Sequence, residues 1–566
     1  MKLSLRSAST LLAGVTLVHA AVGQAACPAA NGPDLALGDI EQLVANYNSV
    51  GGLEALSLGT TSCNLGTVWI DWIATGVHHP VITGNLYRYT EVDGAGRFEQ
   101  VGLGWVTHGF FALSGTFCCT TCTADPGGTH LGVGCSSPDT AGANGSQGLM
   151  GPRSEVDAFT GAFPYPPTHP SGGNRGRIEV LTSDLAPTSG GPSPRYFGVC
   201  QAIAADDAAA GNSADNCAYR ELAVAGSGSA WTFTTTSPSR PEKEALEAWA
   251  EVDPSVRRVE IRIPNEGLLV LASRVTPLAG GRFRYEYALE NLDSDLAVGA
   301  FTVPIPAGGG ITNVGFHDVA HRGGDGVGGV DQDGTDWPST QTAGVRRWST
   351  ATFAQDPNAN AIRWGTTYNF RFDALVGPGL GTVAIGTFKD GGTIYASADV
   401  PGGAVPGMLF CSGDGSLATP CPCGNTGIAG HGCANSQNPS GALLASTGTA
   451  SPDTVVLTSS GELPTSLSIF LQSAVQAPNG IVFGDGTRCV TGALKRLYVK
   501  NAVGGTAAAP AAGDPSITAR SAALGDSIAP GSTRFYQTYY RDGNATFCPS
   551  PPGSSFNVSS GQIIVW

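Results

Sequence analysis

The chain is expected to be all-β, built of β-sandwich-type modules with long Gly-rich loops and disulfides in its N- and C-terminal modules. Three observations point that way. Gly (80) and Pro (37) make the 566-residue composition rich in turns, which suits many short strands. Apolar and polar residues alternate over short runs. Val259, Ile261 and Ile263 alternate with Glu260 and Arg262; Phe283, Tyr285, Tyr287 and Leu289 with Arg284 and Glu286; Tyr368, Phe370 and Phe372 with Asn369, Arg371 and Asp373. A period of two with one solvated face marks antiparallel sheet, and several such strands argue a sandwich. Third, no long amphipathic helical pattern is present; the best candidate is short, residues 242–250.

Cysteine placement divides the chain. Eight of the fourteen lie between Cys27 and Cys217, none from 218 to 410, and six between Cys411 and Cys548. In an exported chain such sets read as disulfides closed inside each outer module. The expected order is a signal peptide at 1–25, a Cys-containing N-terminal β module at 26–235, a Cys-free β-sandwich at 236–405 and a Cys-containing C-terminal β module at 406–566. The leader is read from Lys2 and Arg6, the small apolar run 8–22 and the small residues Gly23 and Ala25. Cys27 raises a lipoprotein alternative, ranked second because Gln24 stands where an aliphatic residue is usual. No later stretch has the roughly 18 apolar residues of a membrane span. Cys119 and Cys122 have CxxC spacing, but without a second such pair disulfides are favoured over zinc.

A formal charge of −15 and a pI near 5.0 repel nucleic acid and anionic membrane, which excludes both as partners. Nucleophile-elbow, zinc-protease and phosphate-loop patterns are missing. Gly324, Gly326 and Gly329 match GxGxxG, but about one residue in seven is Gly, so the match is expected by chance.

Two places concentrate chemistry. Residues 313–337 hold His317, Asp318, His321, Arg322, Asp325, Asp331, Asp333 and Asp336 in a Gly-rich loop between strands. On a strand His317 and His321 would lie roughly 13 Å apart, too far to share an ion that needs donors at about 2 Å. The set His317, Asp318 and His321 is therefore the weaker metal candidate. Asp331, Asp333 and Asp336 crowd three carboxylates into six residues, and Asp/Gly loops of this kind supply oxygens to Ca²⁺. The second place is the strand around His108. Val101, Leu103, Trp105, Phe111 and Leu113 share the parity of a core face, whereas His108 shares the other with Gly102 and Gly104, a face cleared enough to admit a ligand. His79, Tyr87, Arg88 and Glu99 lie nearby in sequence.

Several segments carry a resemblance. GTTSCNLGT, HHPVITGNLYR, GRFEQVGLGWVTHGFFAL, LGVGCSSPDTAGANGSQGLMGPRSEVDAFTGAFPYPP, GFHDVAH and NANAIRWGTTYNFRFDA resemble a group of uncharacterised secreted multidomain β proteins of planctomycetes and similar bacteria. CPCGNTGIAGHGCANSQNPSGA and RFYQTYYRDGNATFC resemble their Cys-containing C-terminal module. The resemblance implies an exported β protein with an appended β module and brings no activity with it.

Two function classes follow. The first is a secreted or cell-surface, non-enzymatic binding, adhesion or glycan-binding component. The second is an extracellular polysaccharide hydrolase or lyase drawing on His79, Tyr87, Arg88, Glu99 and His108, or on His317, Asp318 and His321. Tyr and His would then serve as acid and base, with Arg neutralising an acidic sugar. The enzyme reading demands that His108 lie within about 8 Å of another His, Tyr or carboxylate in a concave pocket.

Overall fold

The N-terminal part rolls one antiparallel sheet around a core. The computed structural model describes residues 27–566 other than 110, 187–191, 307, 322, 343, 403–406, 545 and 549–554, so the expected leader and Arg322 lie outside the described residues. The sheet runs through the strands Leu35–Val50, Leu53–Asn64, Ile178–Leu181, Ala95–His108, Val81–Val92, Arg195–Ile203, Cys217–Ser227 and Ala230–Thr235. Side chains join its two edges. Phe233 N donates to Asn46 Oδ1 at 2.8 Å, and Ile40 N donates to Ser239 Oγ at 2.8 Å. Leu37, Ile40, Leu58, Leu86, Ile178 and Phe233 fill the interior, each such buried side chain contributing about 1.5–3 kcal/mol.

Three disulfides staple this part: Cys27–Cys119, Cys63–Cys118 and Cys122–Cys135. The Cys27 pairing occupies the thiol that a lipid anchor would need, and the CxxC pair is split between two bridges. Cys200 and Cys217, expected to be bridged, are free and buried. They sit on paired strands one register step apart, Cys200 opposite Ala218 and Cys217 opposite Gln201. One step turns a side chain to the other face, so Cys200 enters the rolled core and Cys217 packs outside it.

The middle part is a sandwich of two five-stranded antiparallel sheets. One contains Arg257–Ile263, Gly267–Leu278, Arg282–Asn291, Thr366–Ala374 and Thr312–His317; the other contains Ser339–Thr342, Val345–Ser349, Val298–Pro304, Pro378–Thr387 and Thr393–Pro401. Tyr285, Tyr287, Phe301, Trp348, Phe370 and Phe372 form the core between them, as the alternation requires.

The opposite face departs from expectation. Arg284, Glu286 and Asp373 alternate as a solvated face would, yet all three are buried. The rolled sheet covers them. Phe98, Phe197 and Tyr219 from that sheet, Trp249 from the Ala245–Val252 helix, and Val270 and Ala288 share one core. Charges are matched across this seam: Arg97 Nη2 lies 2.8 Å from Glu286 Oε1, and Arg284 bridges Asp373 at 2.9 Å and Asp93 at 3.2 Å. Burying charge is costly unless it is paired, so a charged face can be an interior one when its counter-charges arrive from another sheet.

The C-terminal part pairs a five-stranded sheet with a three-stranded one and closes three disulfides, Cys411–Cys489, Cys421–Cys433 and Cys423–Cys548. In its Thr533–Arg541 strand, Tyr536 and Tyr540 are fully buried on one face and Phe535 is buried on the other, so these aromatics serve packing. Among the described residues no helix is long and apolar enough to cross a membrane.

Candidate functional site

His108 closes the Ala95–His108 strand, and Val81 opposite it opens the Val81–Val92 strand. His79, just before Val81, thereby reaches His108: Nε2 of His79 and Nδ1 of His108 are 2.9 Å apart. The other nitrogen of His79 meets the Ile73 carbonyl at 3.0 Å. A carbonyl only accepts, so Nδ1 of His79 carries the proton and its bare Nε2 accepts from His108. Phe163 packs against both rings at 5.0–5.1 Å. Burial, with His79 and His169 beside it, pushes the His108 imidazole down to about 4; burial likewise lowers His79. The adjoining space is about 10 Å³, room for one water at most. The pair meets the distance demand of the enzyme reading and lacks the pocket.

The glycine-cleared face does not admit a ligand either. A Cβ on Gly102 would stand 3.0 Å from Ile178 Cγ2, and one on Gly84 2.7 Å from Ile178 Cδ1. The cleared space is filled by Ile178. Phe111 and Leu113, expected in a core, lie beyond the end of the strand and are exposed.

Tyr87, Arg88 and Glu99 are not gathered with the histidines. Tyr87 faces the inter-sheet core, fully buried, with its hydroxyl 2.9 Å from Thr367 Oγ1. Arg88, on the opposite face, donates to Glu99 Oε2 at 3.1 Å and to Asp184 O at 2.9 Å. Seven residues of strand, roughly 23 Å, separate Arg88 from Val81. Burial pushes the Glu99 carboxyl up, but His317, Arg97 and Arg88 outweigh it and hold it below the ordinary value. Tyr87 and Glu99 belong to the seam, and Arg88 pairs within the N-terminal part.

The loop after the Thr312–His317 strand builds the larger site. His317 and His321 part company: Nε2 of His317 meets Gln100 O at 3.0 Å, while His321 turns to Asp325 and Tyr368. His321 Nδ1 lies 3.2 Å from Asp325 Oδ2, and Nε2 lies 3.0 Å from the Tyr368 hydroxyl. A carboxylate accepts, so Nδ1 carries a proton. A neutral ring then takes the Tyr368 proton at Nε2; a protonated ring donates there, and Tyr368 donates to Asn360 Oδ1, 2.6 Å away. Asp325 is buried, and its Oδ1 has no hydrogen-bond partner among the described residues.

Asp325 borders a cavity of about 110 Å³ between the rolled sheet and the sandwich. Arg153, Val156 and Leu103 come from the first; His321, Arg363 and Trp364 come from the second. Arg153 ties the two together. Its guanidinium donates to Gly104 O at 2.7 Å, Asn85 Oδ1 at 2.6 Å and Gly365 O at 2.9 Å, and stacks 5.3 Å from the Trp364 ring. Gly365 has φ +68°, and a Cβ there would come within 2.3 Å of Arg153 Nη1, so only glycine allows this approach. Burial pushes the Arg153 guanidinium down to about 10.

Arg363 donates to Gln332 Oε1 at 2.9 Å and to the Pro357 and Ala359 carbonyls at 3.0 Å. It forms no ion pair among the described residues. Burial works against its charge, and Tyr368, Asp325, Asp356 and Asp295 only partly restore it. At the mouth Lys389 pairs with Asp295 at 2.6 Å, and Phe353 is exposed, edge-on to Phe388 at 5.4 Å.

The other loop acids hold the loop itself. Asp331 Oδ1 accepts from Gly324 N at 2.6 Å, and Asp333 Oδ1 accepts from Thr335 N and Oγ1 at 2.9 and 2.7 Å. Asp336 is exposed, and Asp318 accepts from Asn360 Nδ2. Among the described residues no three His, Cys, Asp or Glu side chains converge in a metal-binding group. Elemental analysis of the purified protein decides whether calcium accompanies Asp331, Asp333 and Asp336.

The sequence reading did not single out Arg153, Arg363, Trp364 or Lys389. Arg363 and Trp364 lie inside the NANAIRWGTTYNFRFDA segment and Arg153 inside GPRSEV of another resembling segment; nothing local marks Arg153 as the partner of a glycine 212 residues away.

No protein-family model and no curated protein matches the chain. Among solved structures, the chain is similar to one described as "Biofilm associated protein - BSP domain", at 9% identity, covering 94% of this chain and 81% of that one, with a TM-score of 0.14. A likeness at that score carries no argument about fold or function.

Proposed function

We propose that the chain is a secreted, extracellular or cell-surface binding component, non-enzymatic, that holds part of a glycan in the cavity between its rolled sheet and its sandwich. The observation that carries this reading is the cavity's chemistry. Among the described residues it combines a buried carboxylate oxygen without a hydrogen-bond partner and an arginine without a counter-ion with a partly exposed aromatic ring. Ligand sites have this mixture of apolar wall and a few directed polar groups. Six disulfides fit an oxidising compartment. The test is retention of the full chain on a panel of immobilised polysaccharides, with product release followed in parallel. Retention without turnover supports the reading; no retention on any member contradicts it.

A second reading, a polysaccharide hydrolase or lyase, is favoured by one observation: the Asp325–His321–Tyr368 chain on the cavity wall orders a histidine between an acid and a phenol, as a general base requires. Turnover that His321→Gln abolishes would establish it.

A further inference from the structure

We propose that the cavity takes the carboxylate end of an acidic sugar, with the anion received by Arg363 and Lys389 and a sugar hydroxyl donating to Asp325 Oδ1. This inference rests on the glycan-binding reading and names the class of glycan.

The size sets the first limit. About 110 Å³ is on the order of ten times the space that admits one water, so it receives the end of a glycan rather than a continuous chain. The remainder of a sugar ring would lie at the mouth, where Phe353 offers a half-exposed aromatic face. Pyranose C–H faces stack on such rings through the same apolar contact that aromatic pairs use.

Charge sets the second. Among the described residues neither Arg363 nor Arg153 of the cavity lining has an ion pair, and Arg153 is enclosed by the acceptors that tie the two parts together. Nε and Nη2 of Arg363 are committed to Gln332, Pro357 and Ala359. A guanidinium confined by neutral acceptors is poorly compensated, and an arriving carboxylate relieves that through charge-assisted hydrogen bonds. Lys389 stands at the same mouth. Its pairing with Asp295 is half-exposed, the kind of ion pair that exchanges partners at little cost.

The third limit separates an acidic sugar from a bare anion. Asp325 is a buried residue of the cavity wall, and its Oδ1 has no donor among the described residues. Leaving such an oxygen unmade is unfavourable. A simple anion has nothing to give it; a hydroxylated carboxylate does. One ligand therefore has to present an anion to Arg363 and an O–H to Asp325.

The test is calorimetric titration of the full chain with sodium glucuronate, glucose and sodium acetate. Glucuronate is expected to bind at least tenfold more tightly than either of the others. Lys389→Met, an exposed change that leaves packing intact, should weaken glucuronate at least fivefold and leave glucose unaltered. Asp325→Asn should remove the advantage of glucuronate over acetate. Arg363→Met should abolish glucuronate binding, and Arg363→Lys should restore part of it if the loss is one of charge. Glucose binding as tightly as glucuronate, acetate doing so, or an inert Lys389→Met would each overturn the inference. With polysaccharide retention intact, any of these removes the acidic-sugar assignment alone; with no ligand and no polysaccharide held, the glycan-binding reading falls as well.

Discussion

Two buried histidines, His108 and His321, show what makes a site. Each has both a protein partner on its ring and aromatic neighbours. His108 is bonded to another histidine, has about 10 Å³ beside it and titrates far below its ordinary range. His321 is bonded to a carboxylate whose second oxygen is unused and borders about 110 Å³. Each centre keeps an unused polar atom among the described residues, Nε2 of His108 in the first and Oδ1 of Asp325 in the second. One apolar cluster containing Phe163, Val156 and Trp364 adjoins both, so the difference is one of room rather than of burial or of unused groups.

The largest effect should come from the residue that frames the cavity. Arg153→Met takes the donor from Asn85 Oδ1 and one donor each from the Gly104 and Gly365 carbonyls, which keep Thr83 and the Asn85 and Gln100 amides. Stability should fall by about 3–5 kcal/mol in urea unfolding, in keeping with loss of a buried charged network. A loss below about 1 kcal/mol would mean that the seam does not depend on it.

Acid should separate the two histidine centres next. In the unfolded chain His79 and His108 take up protons near pH 6.5; in the folded chain His108 resists until about 4 and His79 is also lowered. The pair therefore contributes stability above pH 6.5 that is lost as pH falls from 6.5 towards 4, about 3 kcal/mol from His108 alone. Buried Asp207, raised by burial to about 7, and Asp215 and Asp293, raised by burial to about 6, act in the opposite sense. The comparison must accordingly be made between the wild type and His79→Gln/His108→Gln, whose stability should lack this acid-induced loss. Parallel pH profiles for the two proteins would contradict the assignment of neutral rings.

Thiol counting is a smaller and sharper test. Two thiols per chain should react after denaturation without reductant, and none in the native state, because Cys200 and Cys217 are buried and burial raises both. Zero thiols would mean that the two strands are paired in another register. Smallest of all, EDTA should shift Tm by less than about a degree, since Asp331 and Asp333 are held by the loop's own donors. A fall of several degrees would return calcium to the loop.

The all-β architecture was legible because alternation in 283–289 and 368–372 reports one face reliably. What lay against the other face was not. Arg284 and Glu286 read as solvated, and nothing local reveals that Arg97 and Asp93 arrive from another sheet. The even count of eight cysteines suggested four bridges, but the one-step register of Cys200 and Cys217 is a pairing property. For the candidate site, residues 313–337 stood out in the sequence and supply His321 and Asp325 to the cavity wall, and strand spacing already separated His317 from His321. Asp325 was visible only as one acid among several. Its importance comes from Arg363, Trp364 and Arg153, brought to it by folding. His108 was conspicuous for its glycines, whose purpose is to seat Ile178.

The central claim is that the His321–Asp325 cavity, and not the His79–His108 pair, receives the ligand. Glucuronate titration of Arg363→Met and His108→Gln beside the wild type tests it most directly. The account predicts that Arg363→Met loses at least tenfold in affinity while His108→Gln stays within twofold of the wild type. Unchanged binding in Arg363→Met, with loss in His108→Gln, would contradict it.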